Sequence, residues 1–237
     1  HSCQKVGPTV LAAPIATITF TAPIMDSEFG SLTILQWLSP SFPIGAFAYS
    51  HGMEWAISSG LIRDAASVKH WLEDLLRHGS MRTDAILLAL AAKGEAPQQV
   101  HELALSLAPS AERHIEAMDQ GAAFTRVMRD VWGHPNQGEL VFVAALGAAI
   151  RQEKLGVEFA VKAYLHAFVA NLCSVAQRLV PIGQTDSQKI QRALFPLIVE
   201  TATEAMNSSE ADLFSATFFS DISSMKHATQ SPRIFKS

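Results

Sequence analysis

Few residues in this chain could carry chemistry, and their spacing suits little of it. His51 and Glu54 stand three apart, so a helix would place both on one face, where an imidazole and a carboxylate can act as an acid/base pair. No third group is spaced to orient them, which favours a helix-surface pair or a partner contact. The nine histidines are scattered, and no two lie at the i, i+4 interval that sets two metal ligands side by side. His227, two residues after Met225, could touch a passing ion, and Arg126, Arg178 and Arg233 could each reach into a partner's phosphoryl-transfer site. Nothing in their spacing selects one. The chain has no phosphate-cradling G-x-x-x-x-G-K-[ST] loop, no G-x-G-x-x-G after a strand and no G-x-S-x-G elbow. The sequence therefore assigns no catalytic residue, no metal ligand and no permanently bound cofactor.

The elements around these residues are helical. Residues 39–55, SPSFPIGAFAYSHGMEW, join two helix-like segments through a stiff loop. Pro40 and Pro43 fix their own φ and hold the preceding residues extended, and Gly45 permits a sharp turn. A stiff loop carrying Phe42, Ile44, Phe47 and Tyr49 must pack on the body or dock a partner. From Leu32 onward apolar residues recur at helical intervals, and Gly/Pro punctuation divides the chain into about ten helices with no strand-period run. Asp64 is the expected N-cap of a helix ended by Gly79; helices are also expected over 80–93, 98–107, 110–131, 140–150 and 156–179. Gly121, inside one of them, points to the close approach of another backbone. The 156–179 helix has a broad apolar stripe beside a stripe of small residues, Ala160, Ala163, Ala167, Ala170 and Ser174, fitting the centre of a bundle or a dimer seam. A capping box at 185–188 starts the next helix, Pro196 is expected to kink or end it, and short helices follow over 199–206 and 211–219.

The domain reading is an extension, leader or tag over 1–24, an all-α bundle-like domain over 25–219, and a tail over 220–237. With 237 residues, one large core is within reach. The apolar run 10–24 is interrupted by Pro14 and Pro23 and is too short to span a bilayer. The net charge of −4 argues against nucleic acid, which requires a clustered basic face. Cys3 and Cys173, the only cysteines, fit a reduced, cytoplasmic protein. The tail carries Lys226, Arg233 and Lys236 against Asp221, is broken by Pro232, and reads as disordered or ordered by a partner.

Several blocks resemble one family. Leu38-Ser39-Pro40, Pro43 to Phe47 and Tyr49 to Glu54 look like the N-terminal signature of the urease accessory protein UreF family. Glu116 and Gly121 resemble its Glu-x4-Gly helix, and 178–186, RLVPIGQTD, its Arg-Leu-x-Pro-Leu-Gly-Gln-Thr block. Ser220-Asp221-Ile222, Met225-Lys226-His227 and 233–237 resemble its tail. The likeness covers roughly 32–237, in order. The chain departs from the family at 143–147, keeping only Gly147 of the usual run, and at Ala228 and Ser231, where glutamate and tyrosine are expected.

The resemblance implies an all-α, homodimeric scaffold without chemistry of its own. It would bind the accessory protein UreD (UreH in some systems) and recruit and regulate the GTPase UreG, so that nickel passes transiently on its way into apo-urease. It also implies partner-binding residues: Pro43, Gly45, Phe47, Tyr49, Ser50, His51 and Glu54 facing the GTPase; Arg178, Gly183, Gln184 and Asp186 at a dimer or partner junction; and Met225, Lys226, His227, Arg233 and Phe235 docking UreD. Phe235 and Met225 would anchor while Lys226 and Arg233 steer. The alternatives are a direct nickel carrier and a stand-alone helical metal-dependent hydrolase using His51 and Glu54.

Overall fold

Ten α-helices follow one another in the computed structural model, which describes residues 27–237; the expectations for 1–24 and for Cys3 lie outside the described residues. They are α1 (Ser27–Trp37), α2 (Met53–Ser58), α3 (Ala65–His78), α4 (Ser80–Lys93), α5 (Pro97–Ser106), α6 (Ala111–Trp132), α7 (Phe142–Gln152), α8 (Val157–Leu179), α9 (Gln184–Asn207) and α10 (Phe218–His227). Short 3-10 turns stand at Ala46–Ala48 and Glu210–Asp212, and no strand occurs among the described residues. The all-α reading holds.

Local chemistry sets several boundaries as expected. Asp64, in extended backbone, accepts from the Ser67 N–H at 2.8 Å while the Ser67 hydroxyl accepts from the Asp64 N–H at 3.0 Å, a reciprocal cap for α3. Gly79 closes α3 and opens α4.

The core is built on α4 and α7, which are buried nearly all round and pack on each other. α6 comes close to the start of α7: a Cβ on Gly121 would lie 1.9 Å from the Leu140 carbonyl oxygen. The close approach expected at that glycine is there. α8 lies against α9 and α4, so more than half of its most apolar stretch is buried, although its small-residue stripe is half open. At one end, Trp37 meets Phe124 and Trp132 edge-on at 5.7 Å, and Phe42 joins them, so the stiff loop is anchored to α6. Phe42 and Tyr49 therefore pack inward, and Phe47 points out.

Three local expectations fail. α9 runs unbroken through Pro196 and absorbs the helix expected over 199–206. Pro196 and Arg192, whose carbonyl loses its donor, are exposed to water, while Ile190, Leu194, Leu197, Ile198, Thr201 and Ala202 form one continuous buried face. Burial of that face, at roughly 1.5–3 kcal/mol per large side chain, outweighs the roughly 3 kcal/mol cost of the proline. The box at 185–188 does not cap α9, which starts at Gln184 after an uncapped Gly183. In place of a helix over 211–219, Arg82 holds the segment irregular: it pairs with Glu204 at 2.6 Å, donates to the Asp212 carbonyl at 2.9 Å and sits over the Phe214 ring.

The tail is structured by its own chain. α10 packs on α2, where Gly52 is indispensable: its φ is +77°, and a Cβ would lie 2.5 Å from the Ser224 nitrogen. Residues 233–237 then return across the loop before α2. The reading of this segment as disordered or partner-ordered missed these contacts because they are made to residues far away in sequence.

Candidate functional site

The first turns of α6 present Glu112, Arg113 and Glu116 on one side, since residues three and four apart share a helix face. Four other parts of the chain converge there: the 49–54 segment, α10, the returning residues 233–237, and the floor formed by Asp84 of α4 and Tyr164 of α8.

Glu116, almost wholly buried, collects four donors. Arg113 Nη1 lies 2.6 Å from its Oε2, His51 Nε2 3.0 Å from its Oε1, Ser237 Oγ donates to Oε2 at 2.7 Å, and Gln120 Nε2 to Oε1 at 3.0 Å. Burial alone would raise this carboxyl, but Arg113 and His51, with Ser237, overcome it and hold it at about 2. His51 itself is pushed down by burial and by Arg113, against the pull of Glu116, and its backbone is left-handed at φ +55°.

Glu54 works in the same way on the other side. It accepts the Ile234 N–H at 2.7 Å, the Phe235 N–H at 2.9 Å and His227 Nε2 at 3.0 Å. Burial pushes its carboxyl up, and His227 with the two backbone donors brings it below the usual range. Glu112 takes His227 Nδ1 at 2.8 Å and Arg233 Nη1 at 2.6 Å. Ser50 N–H donates to the Ser237 carbonyl at 2.7 Å, its hydroxyl contacts the same oxygen, and Lys236 N–H reaches the Ala48 carbonyl at 2.8 Å. Beneath, Tyr164 Oη donates to Asp84 at 2.9 Å; burial drives Asp84 up to about 6, and Arg113 and Tyr164 limit the rise.

This arrangement is a fastener. Its carboxylates are filled by donors, and no cluster of three His, Cys, Asp or Glu that could hold a metal occurs among the described residues. His51 and Glu54 do not act together, because His51 lies outside α2 and pairs with Glu116 whereas Glu54 pairs with His227. That geometry removes the acid/base pair suggested by their spacing.

The partner-binding residues expected from sequence divide by exposure. Tyr49, Ser50, His51, Glu54, His227 and Phe235 are buried in their own chain, so in this conformation they shape a surface from beneath. Tyr49 donates to Asp119 at 2.9 Å, and Phe235, expected to anchor a partner, fills an internal position under the Arg178 guanidinium at 5.6 Å. Pro43, Phe47, Arg178, Gly183, Gln184, Met225, Lys226 and Arg233 are exposed; Gly45 and Asp186 are half-buried. Arg178 joins the network's edge, while Asp186 pairs locally with Lys189 at 3.3 Å. Glu112, Arg113, Asp84, Tyr164 and Ser237 were not expected. The one local signal among them was Asp84, a carboxylate opening the long apolar run of α4.

Two apolar surfaces flank the fastener. The outer side of α10 exposes Phe218 (73%), Phe219 (68%), Ile222 and Met225 (54%). Phe47 (65%) stands at the lip of a cleft of about 830 Å³, lined also by Leu35, Phe159, Phe195, Val199 and, from the small stripe of α8, Ala163, Ala167, Ala170 and Ser174. Asp84 and Arg113 reach its floor.

Comparison with known proteins gives a consistent result. The UreF family model matches residues 62–195. The urease accessory protein UreF of Cereibacter sphaeroides (strain KD131) is 49% identical over 205 residues, covering 86% of this chain and 97% of that protein. Those of Roseobacter denitrificans and Rhodopseudomonas palustris (strain HaA2) are 42% and 39% identical, covering 91% and 92% of this chain and 98% of each relative. All three carry the name of an accessory protein, not of an enzyme.

Proposed function

The chain belongs to the urease accessory protein UreF family, and from that premise we propose that it is an adaptor in urease maturation that binds UreD (UreH) and recruits and regulates the GTPase UreG for nickel insertion into apo-urease. The observation that carries this reading is the contrast between a polar network closed on itself and large apolar side chains left in water beside it. Side chains such as Phe218, Phe219 and Met225, set on one short helix face, are what a binding partner covers.

We assign the α10 face to UreD and the Phe47 loop, with Pro43 and Gly45, to the GTPase. Lys226 and Arg233 at the margin of α10 steer an acidic partner. The cleft along α8 is assigned to a second copy of the chain, because the small residues Ala163, Ala167, Ala170 and Ser174 along its α8 side let another helix approach closely. Nickel is cargo in this scheme, passing transiently in the cytoplasm without a resident site.

The test is Phe219→Asp combined with Met225→Asp. Both side chains are exposed, so helical content is expected to stay at the wild-type level, while affinity for UreD falls about thirtyfold or more by titration calorimetry. Unchanged affinity would remove α10 from the interface.

A further inference from the structure

We propose that Asn171 of α8 is a positioning residue for the Phe47 loop, a role that rests on the assignment of that loop to UreG. Its side-chain amide ties down both ends of the turn from which Phe47 projects.

The turn is a single 3-10 step, Ala46–Ala48, entered through Gly45 in left-handed backbone at φ +73°. Two internal bonds close it, Ala48 N–H to the Gly45 carbonyl at 3.0 Å and Tyr49 N–H to the Ala46 carbonyl at 3.2 Å. So short a turn makes too few bonds to keep its shape in water unaided. Phe47 itself cannot steady it, because its ring is left largely in solvent. Asn171 supplies the constraint from the body of the protein. Its Nδ2 donates to the Ala46 carbonyl at 3.1 Å and, more loosely, to the Tyr49 carbonyl at 3.4 Å. A carboxamide nitrogen carries two N–H groups, so one side chain serves both carbonyls. Between these points the Ala48 carbonyl takes the Lys236 N–H at 2.8 Å, and the Tyr49 hydroxyl is fixed on Asp119 at 2.9 Å.

Nothing in α8 itself asks for an asparagine at 171. It lies among Ala167, Ala170 and Ser174 on the side that lines the cleft, and it is a poorer helix former than the alanines around it. Both of its side-chain hydrogen bonds leave the helix for the loop. A partner that closes on Phe47 therefore meets a ring already set in place, and ordering of the turn no longer opposes binding.

The experiment compares Asn171→Asp with the wild type. The change keeps the outline of the side chain, removes both N–H donors and sets a negative charge against two carbonyls. Asn171 is half-buried, so helical content is expected to stay at the wild-type level. By hydrogen exchange the Ala48 and Tyr49 amides should lose about tenfold of their protection, while Leu88 and Val169 keep theirs. With the chain already bound to UreD, calorimetric affinity for UreG should fall about tenfold, and affinity for UreD should not change. Phe47→Ala, run alongside, tests the assignment of the loop itself. Weaker UreG binding in Phe47→Ala but not in Asn171→Asp overturns the positioning role alone, whereas unchanged binding in Phe47→Ala overturns the loop assignment and the role with it. Unchanged exchange at Ala48 and Tyr49 overturns the role whatever the affinities. Asn171→Ala, which adds no charge, takes the place of Asn171→Asp if that variant does not fold.

Discussion

Glu116→Ala is expected to lower unfolding stability by about 3–5 kcal/mol, because it leaves a buried guanidinium without its main partner. In the wild type, the Arg113 side chain is only 11% exposed, against 2% for Glu116, and lies 2.6 Å from it, with Asp84 as its other nearby negative group. The substitution also strips an acceptor from His51, Gln120 and Ser237, so several buried donors lose their partner at once. Glu116→Gln keeps the shape but turns one acceptor into a donor that must face Arg113 or His51, and it should recover little. Removing both charges by Arg113→Met with Glu116→Leu should recover much of the loss, since an apolar pair carries no desolvation cost. Urea denaturation measures all three. A loss below about 1 kcal/mol for Glu116→Ala would mean that the network does not hold the fold.

Gly121→Ala should also destabilise, although alanine is the better helix former by about 1 kcal/mol. The added Cβ would sit 1.9 Å from the Leu140 carbonyl oxygen and 2.8 Å from the Val141 carbonyl carbon, both of them backbone atoms that cannot rotate away. Relief requires α6 and the start of α7 to separate, which would loosen the contacts of Phe124 and Phe142 at 5.5 Å. An overpacking cost of about 2–3 kcal/mol net is expected, lowering the melting temperature by about 5–10 °C. A raised melting temperature would show that the two backbones are not in contact.

These two positions mark what could and could not be read from the sequence. Gly121 was legible because a glycine inside a strong helical pattern asks for a local reason, and close backbone approach is one. Helix boundaries at Asp64, Gly79 and Lys93 were legible on the same local grounds. Pro196 misled because its local cost is real but smaller than the burial of the face it interrupts. The fastener was mostly illegible. His227 meets Glu54 across 173 positions and Ser237 meets Glu116 across 121, and no spacing rule reaches that far. The resemblance had placed His51, Glu54, His227 and Phe235 among partner contacts; the fold turns them inward, where they set the position of the exposed loop and of α10.

The adaptor reading is tested most directly by mixing the purified chain with UreD and UreG, with and without GTP, and following which of them elute together on size exclusion. The chain and UreD are expected to elute as one complex, with UreG joining only when the chain is present. Separate elution of the chain from every component at micromolar concentration would contradict the account.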